Sequence, residues 1–509
     1  MKSVKKSAKK STKKSVKKNV KKSVKNKVIA KKVTDKKAIT KKVTGKKIIG
    51  KKVTTKKVTS KKVVSKKVTT DLYNKEKLQR LLSSAVKLSK ADHVEIYCSI
   101  EDRQATRFSD NAISQNLAQK NLQIKIASHM GNKIGRVDIN SFDKEIIERA
   151  IRQSEEIAII LPDDPEYLPP LQKGEGKQYL KSKISKKDVD DHLSFDQIAQ
   201  KIQEGINSCK KKSAKFAGSY KHSRYQEAYM NSNGLFAHGY YSSVDWTNIV
   251  VMPKGESGYA HGMSCNVKDL DFKSTSKEAL DKAVAAQNPI DLEPGKYTVI
   301  LSPEAVDEIL MFAFYGGFDA KRSDEGMTFL RGKLGHKVFD SKLTIASDPC
   351  NVNAPSLVFD TQGSAFKKRL WVKEGVIENL CYSRYWGHKN NKEVTLYPTN
   401  LIVEGNDKIS LENLVANTKR GILITRLWYI RFVDPMIPSI TGMTRDGTYL
   451  IENGKIVSAI KNMRFNDSVV RIFNNIETIG KRRISGEWFR SYIPFMKIKE
   501  FNFTSKTAF

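Results

Sequence analysis

Eight histidines, five cysteines and 54 carboxylates are the groups through which this chain could do hydrolytic chemistry. A catalytic zinc usually takes three protein ligands, keeps one position open for water and has a carboxylate nearby as general base. The histidines, at 93, 129, 192, 222, 238, 261, 336 and 388, never come within five residues of one another, so there is no His-Glu-x-x-His pair. Isolated histidines are more often satisfied core or surface residues than ligands. Glu304 and Glu308 stand four apart, which puts both carboxylates on one helix face, where paired groups could do acid–base work. The plainer expectation for them is a solvated face whose charge complements the helix N-terminus. Cys350, in Asp348-Pro349-Cys350, has no histidine near it in sequence to act as its base. Neither a Gly-x-Ser-x-Gly elbow nor a phosphate-cradling glycine loop occurs.

The elements that must position these groups follow from the apolar periodicity. Leu78, Leu81, Leu82, Val86 and Leu88 recur at helical spacing within 72–90. His93–Ile100 alternates as a strand, and Leu122–Ala127 and Lys133–Ile139 read as paired strands joined at Gly131-Asn132. A helix is expected over Phe142–Ile160, and a linker over 161–190, where four prolines precede a Gly- and Lys-rich stretch. An amphipathic helix over Phe195–Cys209 leads into alternating stretches across 213–272, with Asn233-Gly234 as a hairpin turn, and then a helix over Ser276–Gln287. Tyr297–Leu301 reads as a buried strand feeding a helix, with Ser302 as N-cap and Pro303 in the first position. Beyond it the chain is strand-rich. The expected class is α+β: an N-terminal α+β domain (71–160), the linker, a middle domain (191–290) and a mostly β C-terminal domain (291–509).

The formal charge of +38 is concentrated at one end. Residues 1–70 hold 29 lysines and one acid, Asp35, leaving 63 basic and 53 acidic residues for the body. The lysine pairs recur roughly every four residues over 2–24 (KKSA, KKST, KKSV) and every five over 31–70 (KKVTD, KKVTG, KKVTS). Neither period builds an apolar face, so residues 1–70 are expected to be a disordered tail. A flexible polycation binds polyanions by counterion release, blind to sequence. Lysine lacks the guanidinium fork that reads guanine, and the tail has no aromatic ring for a base to stack on. Lys5, Lys6, Lys9, Lys10, Lys31, Lys32, Lys36 and Lys37 typify the residues that would contact DNA or RNA non-specifically. An anionic membrane surface, or no specific partner, are the competing readings. The five cysteines are widely spaced with no Cys-x-x-Cys, which points to a reducing compartment. No signal-peptide core and no apolar run of transmembrane length is present, so a cytoplasmic, nucleoid-associated location is expected.

Three segments carry a specific resemblance. They are ATRFSDNAISQN (105–116), SPEAVDEILMFAFYGG with FLRGKLGHKVFDSKLTIASDP (302–349), and LWYIRFVDP, TGMTRDGTYLIENGKI and KNMRF (427–465), with FNFTS at 501–505. In order and spacing they resemble the TldD/PmbA family, also labelled modulator of DNA gyrase, over the whole body. The resemblance implies a zinc site in the TldD subunit, built from a His-Glu-x-x-x-His helix and a later Cys-Gly-Lys. The PmbA (TldE) subunit lacks those ligands. Here Met311 and Gly316 stand where the histidines would be, Phe312 replaces the glutamate, and Ile479 replaces the cysteine. Gly and Ile offer no side-chain ligand, Phe cannot take a proton, and Met suits copper(I) better than zinc. The chain therefore resembles the PmbA side.

The resemblance implies a heterodimer with a TldD-like subunit that carries the zinc, acting on unfolded peptides, with no cofactor in this chain. Strand addition could hold such peptides, and Arg431, Asp434, Arg445 and Asp446 are candidates to line the cleft. The alternative for them is structural: an Arg431–Asp434 ion pair and hairpin turns at Asp446-Gly447 and Asn453-Gly454. Trp428, Tyr429 and Phe432 are expected in the core. Two other functions stay open: a metallopeptidase active by itself, and a nucleic-acid-binding protein whose body only docks a partner.

Overall fold

The computed structural model describes residues 74–434, 436–486 and 490–507. The lysine tail lies outside them.

Helix α1 (Lys75–Val86) begins where the Asn74 side chain accepts the Lys77 N–H at 2.7 Å. Strands β1 (His93–Ser109), β2 (Ala112–Met130) and β3 (Lys133–Ile139) follow as an antiparallel run. The β1–β2 turn places Asp110 and Asn111 at φ +50° and +61°, which these two residue types tolerate better than most. Helix α2 (Lys144–Ile160) is capped by Asp143. After the linker, which holds the short α3 (Lys186–Asp190), come α4 (Phe195–Lys210), opened by a Ser194/Gln197 capping box, β4 (Lys215–Asn231), β5 (Phe236–Val251), β6 (Ser257–Ser264) and α5 (Phe272–Ala285). Helix α5 starts four residues earlier than its periodicity predicts, because Asp271 caps it through the Ser274 N–H.

All six strands form one sheet, in the order β3-β2-β1-β4-β5-β6. β1 pairs with β4 from Glu95 opposite Asn231 to Phe108 opposite Gly218. The expected division between 71–160 and 191–290 is therefore not a division of the sheet. A three-stranded piece would leave the long second edge of β1 unpaired, and β4 covers it. Helices α1 and α2 close one core with Leu78, Leu82, Ile96, Ile126 and Ile151, and α4 and α5 close another with Ile198, Ile202, Phe216, Trp246 and Ala279. The linker is tied down as well: the Tyr179 hydroxyl donates to the Gly363 carbonyl (2.6 Å), and the Asn231 side chain donates to the Leu171 carbonyl (2.8 Å).

At Gly258 of β6 a Cβ would lie well inside contact distance of the Ala279 carbonyl oxygen and the Ala283 nitrogen of α5. Both obstacles are backbone, so neither can rotate away. Gly258→Ala is expected to destabilise the protein by about 3 kcal/mol, measured as a shift in chemical-denaturation midpoint. An unchanged midpoint would mean that α5 and β6 are less closely apposed.

The second sheet is mostly β. In chain order its region contains β7 (Gly295–Leu301), α6 (Pro303–Gly317), α7 (Ala320–Asp324), β8 (Ile345–Ser347), β9 (Arg369–Lys373), β10 (Val376–Ile377), α8 (Arg384–Lys389), β11 (Asn400–Val403), α9 (Leu411–Ala416) and β12 (Arg420–Ile424). β13 (Leu427–Asp434), β14 (Ser439–Thr444), β15 (Thr448–Glu452), β16 (Lys455–Ala459), β17 (Met463–Ser468), α10 (Val469–Asn474), β18 (Ile476–Ser485) and β19 (Arg490–Lys506) complete it. The main path runs β10-β9-β8-β11-β19-β7-β12-β15-β16, with β13, β14, β17 and β18 joined to it through β19. β7 lies at the centre, antiparallel to β19 and parallel to β12. This is the expected α+β class with a β-rich C-terminal half. All five cysteines are free, and no helix among the described residues is long and apolar enough to cross a membrane.

Candidate functional site

Helix α6 leaves the carboxyl end of β7, and the chain leaves β12 on the same side at Thr425. Clefts at the carboxyl ends of adjacent parallel strands are common ligand sites. Two contacts pin the helix to the 425–427 segment. The Ser302 hydroxyl donates to the Thr425 carbonyl (2.5 Å) while accepting the Ala305 N–H, and a Glu308 carboxylate oxygen accepts the Leu427 N–H (3.1 Å). Ala305, Val306, Ile309, Leu310, Ala313 and Phe314 bury the rest of the helix in the core. Glu304, Asp307, Glu308 and Met311, spaced as one stripe along it, line a cavity of about 390 Å³.

Trp428, Tyr429, Ile430 and Arg431 of β13 and Ser485-Gly486 at the end of β18 form the opposite walls, and Tyr259 and His261 of β6, the edge strand of the first sheet, close one side. His261 is fixed by Asp245 at 3.3 Å. Burial raises the Asp245 carboxyl, but the bond and charge of His261, with Lys221 and Ser243, outweigh it and hold the group below the usual carboxylate range. Arg426 crosses the floor with its guanidinium over the rings of Tyr259 (4.2 Å) and Trp428 (4.8 Å), and it pairs with Asp446 at 3.1 Å. Both partners are less than a tenth exposed.

The structure sorts the sequence candidates. Arg431 reaches the cavity directly. Asp446 and Arg445 act one step behind it: Asp446 holds Arg426 and accepts from the Ser257 hydroxyl (2.7 Å), and Arg445 lies over the Trp428 ring (4.7 Å). Asp434 does neither. Its carboxylate accepts the Met436 and Ile437 N–H groups in a turn. Arg431 packs on the Tyr429 ring and donates to the Ile430 carbonyl, so the alternative of an Arg431–Asp434 pair is not what the structure contains. Asn453-Gly454 makes the β15–β16 hairpin, whereas Asp446-Gly447 joins strands that pair elsewhere.

Tyr429 corrects a further expectation. It is 63% exposed, at φ +58°, in a bulge of β13 against β14, rather than in the core. Bulges of this kind re-aim side chains, and positive φ at an aromatic residue persists only where its surroundings dictate it. Glu304 and Glu308 are also not the solvated face first expected: both are half-buried and face the cavity. The sequence does hold a signal for them. In a helix whose other faces are wholly apolar, polar groups at i, i+3 and i+4 must look into a cavity or a cleft.

Met311 and Phe312 line the cavity. Gly316 does not, and a Cβ there would stand 2.9 Å from the Phe432 ring, which packs edge-to-face on Phe312 at 4.9 Å. The room a longer side chain at 316 would need is thus filled. Ile479 packs on the main core and is not brought to the cavity wall. Among the described residues no group of three or more His, Cys, Asp or Glu side chains is placed to hold a metal ion. A thioether, a phenyl ring and a glycine are not a zinc donor set.

Two domain profiles match the chain: the PmbA/TldA metallopeptidase central domain over residues 180–287 and the PmbA/TldA metallopeptidase C-terminal domain over 294–505. The chain belongs to the PmbA/TldD family. TldE from Thermococcus kodakarensis has the same fold, with a TM-score of 0.74 at 18% identity, covering 84% of this chain and 99% of that one. A Thermotoga maritima protein described as a modulator of a DNA gyrase superposes with a TM-score of 0.73 at 16% identity, covering 84% of this chain and all of that one. An uncharacterized protein of Methanocaldococcus jannaschii is 24% identical over 274 residues, 50% of this chain and 62% of the relative. A metalloprotease of Archaeoglobus fulgidus is 24% identical over 212 residues, 39% and 48% respectively. The chain thus spans about half to three-fifths of the length of these two relatives.

Proposed function

We propose that this chain is a PmbA/TldE-like, non-catalytic subunit that holds unfolded peptides for a zinc-bearing, TldD-like partner in a heterodimeric metalloprotease. The observation that carries this reading is the cavity wall itself. Met311 and Phe312 occupy the helix positions where the family resemblance places a ligand and a base, and Phe432 fills the space beside Gly316. The cavity is otherwise well built for a peptide, with carboxylates, arginines and aromatic rings facing one another across it. The lysine tail, in this reading, anchors the complex to DNA or RNA without regard to sequence, and the protein works in the cytoplasm at the nucleoid.

The purified chain is expected to leave an unfolded protein substrate intact, with or without a zinc chelator, and cleavage is expected to begin only when a TldD-like partner is added. Chelator-sensitive cleavage by the lone chain, followed by gel electrophoresis, would overturn the reading and require a zinc site elsewhere.

A further inference from the structure

Beside the large cavity lies a smaller one of about 250 Å³, below the size of a typical whole-ligand pocket. Leu411 of α9, Leu423 of β12, Tyr449 of β15, Ile456 of β16 and Phe495 of β19 wall it. Its charged neighbours sit at the rim: Glu278 meets Lys282 at 2.9 Å and Arg483 at 3.0 Å, Asp281 pairs with Lys277 outside the hollow, and Glu304 stands 3.8 Å from Arg483. Burial raises the Glu278 carboxyl, but Lys282 and Arg483 override it and bring the pKa to about 2. What remains is an apolar hollow with Ile456, 46% exposed, lining it.

Three segments run from one cavity into the other. Helix α6 and its N-cap give Ser302 and Glu304 to the small cavity and Glu304, Asp307 and Glu308 to the large one. Thr425 lines the small cavity and Arg426 the large. On β18 the step takes two residues, from Arg483 to Ser485. The two residues from Arg483 to Ser485 span ~7 Å of strand, and Glu304, which lines both cavities, keeps the two within reach of one another. An extended peptide repeats its same-face side chains at the same interval, ~7 Å.

We propose that the small cavity receives an apolar side chain of an extended polypeptide, two residues away from the one held in the large cavity. The ligand class is a polypeptide with leucine, isoleucine, methionine or phenylalanine at that position. The inference rests on the peptide-holding reading of the large cavity and adds a sequence preference to it.

The test uses the full chain and two fluorescein-labelled decapeptides of serine, threonine and glutamine, one with a central leucine and one with serine in its place. Anisotropy is read at 0.3 M salt, where tail contributions are screened. The leucine peptide is expected to bind about tenfold more tightly. Ala285→Trp, at the exposed end of α5, fills the hollow, and Ile456→Asp places a charge in it. Each is expected to bring the ratio close to one. The two positions lie on separate elements, so the test survives if one variant misfolds. Equal binding of both peptides by the native chain, or a preference that persists in both variants, overturns the apolar pocket and leaves the peptide-holding reading standing. No binding of either peptide overturns both.

Discussion

Asp446→Ala, one step behind the cavity wall, is expected to cost about 3–5 kcal/mol of folding stability. Asp446 is 6% exposed and Arg426 is 8% exposed. Removing the carboxylate strips the buried guanidinium of this counter-charge and the Ser257 hydroxyl of its acceptor. The backbone adds to the loss, because residue 446 stands at φ +54°, where aspartate and asparagine are tolerated and alanine is not favoured. Asp446→Asn separates these contributions. It keeps the tolerance for positive φ and an acceptor for Ser257 but not the charge, so its cost should be intermediate. Urea-denaturation midpoints of the two variants measure the difference. A loss below about 0.5 kcal/mol for the alanine variant, the range of ordinary surface changes, would mean that Arg426 is held by its other neighbours.

Raising the salt concentration from 50 to 200 mM is expected to weaken binding of the full chain to duplex DNA by about 10³–10⁵-fold, if six to ten tail lysines meet phosphates at once. With 29 lysines in 70 residues, that number is within easy reach. The chain from residue 71 onward carries only ten more basic than acidic residues and should lose most of the affinity. Fluorescence anisotropy with two unrelated duplexes tests both the slope and the indifference to sequence. Affinity retained without the tail would assign binding to the body. Binding to anionic vesicles in place of DNA would assign the tail to membranes.

Local signals carried much of this molecule. Ser302-Pro303 marks a helix start that the structure contains, and Asn233-Gly234 marks the β4–β5 turn. What escaped is non-local. Nothing in the alternation of β1 says that its second edge will be taken by β4, more than a hundred residues away, so local pattern alone divides the first sheet. The cavity escaped for a related reason. Glu304, Arg426, Trp428 and Tyr259 meet only because parallel β7 and β12 bring their carboxyl ends side by side and β6 abuts them. Residue type alone places Tyr429 in the core, and only the bulge turns it outward. The sequence neighbours of Ile479 do not fix where a strand residue points, and it packs on the core.

β19 pairs with β7, β11, β17 and β18. Its residues are the last of the second sheet to leave the ribosome. β7, the central strand, is finished at Leu301, about two hundred residues before β19 is complete. At roughly 5–20 residues per second, synthesis leaves β7 without its antiparallel partner for ~10–40 s. During that interval the apolar face of α6 has only part of its core to pack on. The first sheet, complete by Ser264, can close on the nascent chain, whereas the C-terminal half must wait. Assembly of this protein is therefore staged by translation, and the nascent C-terminal half is the stretch most in need of chaperone cover.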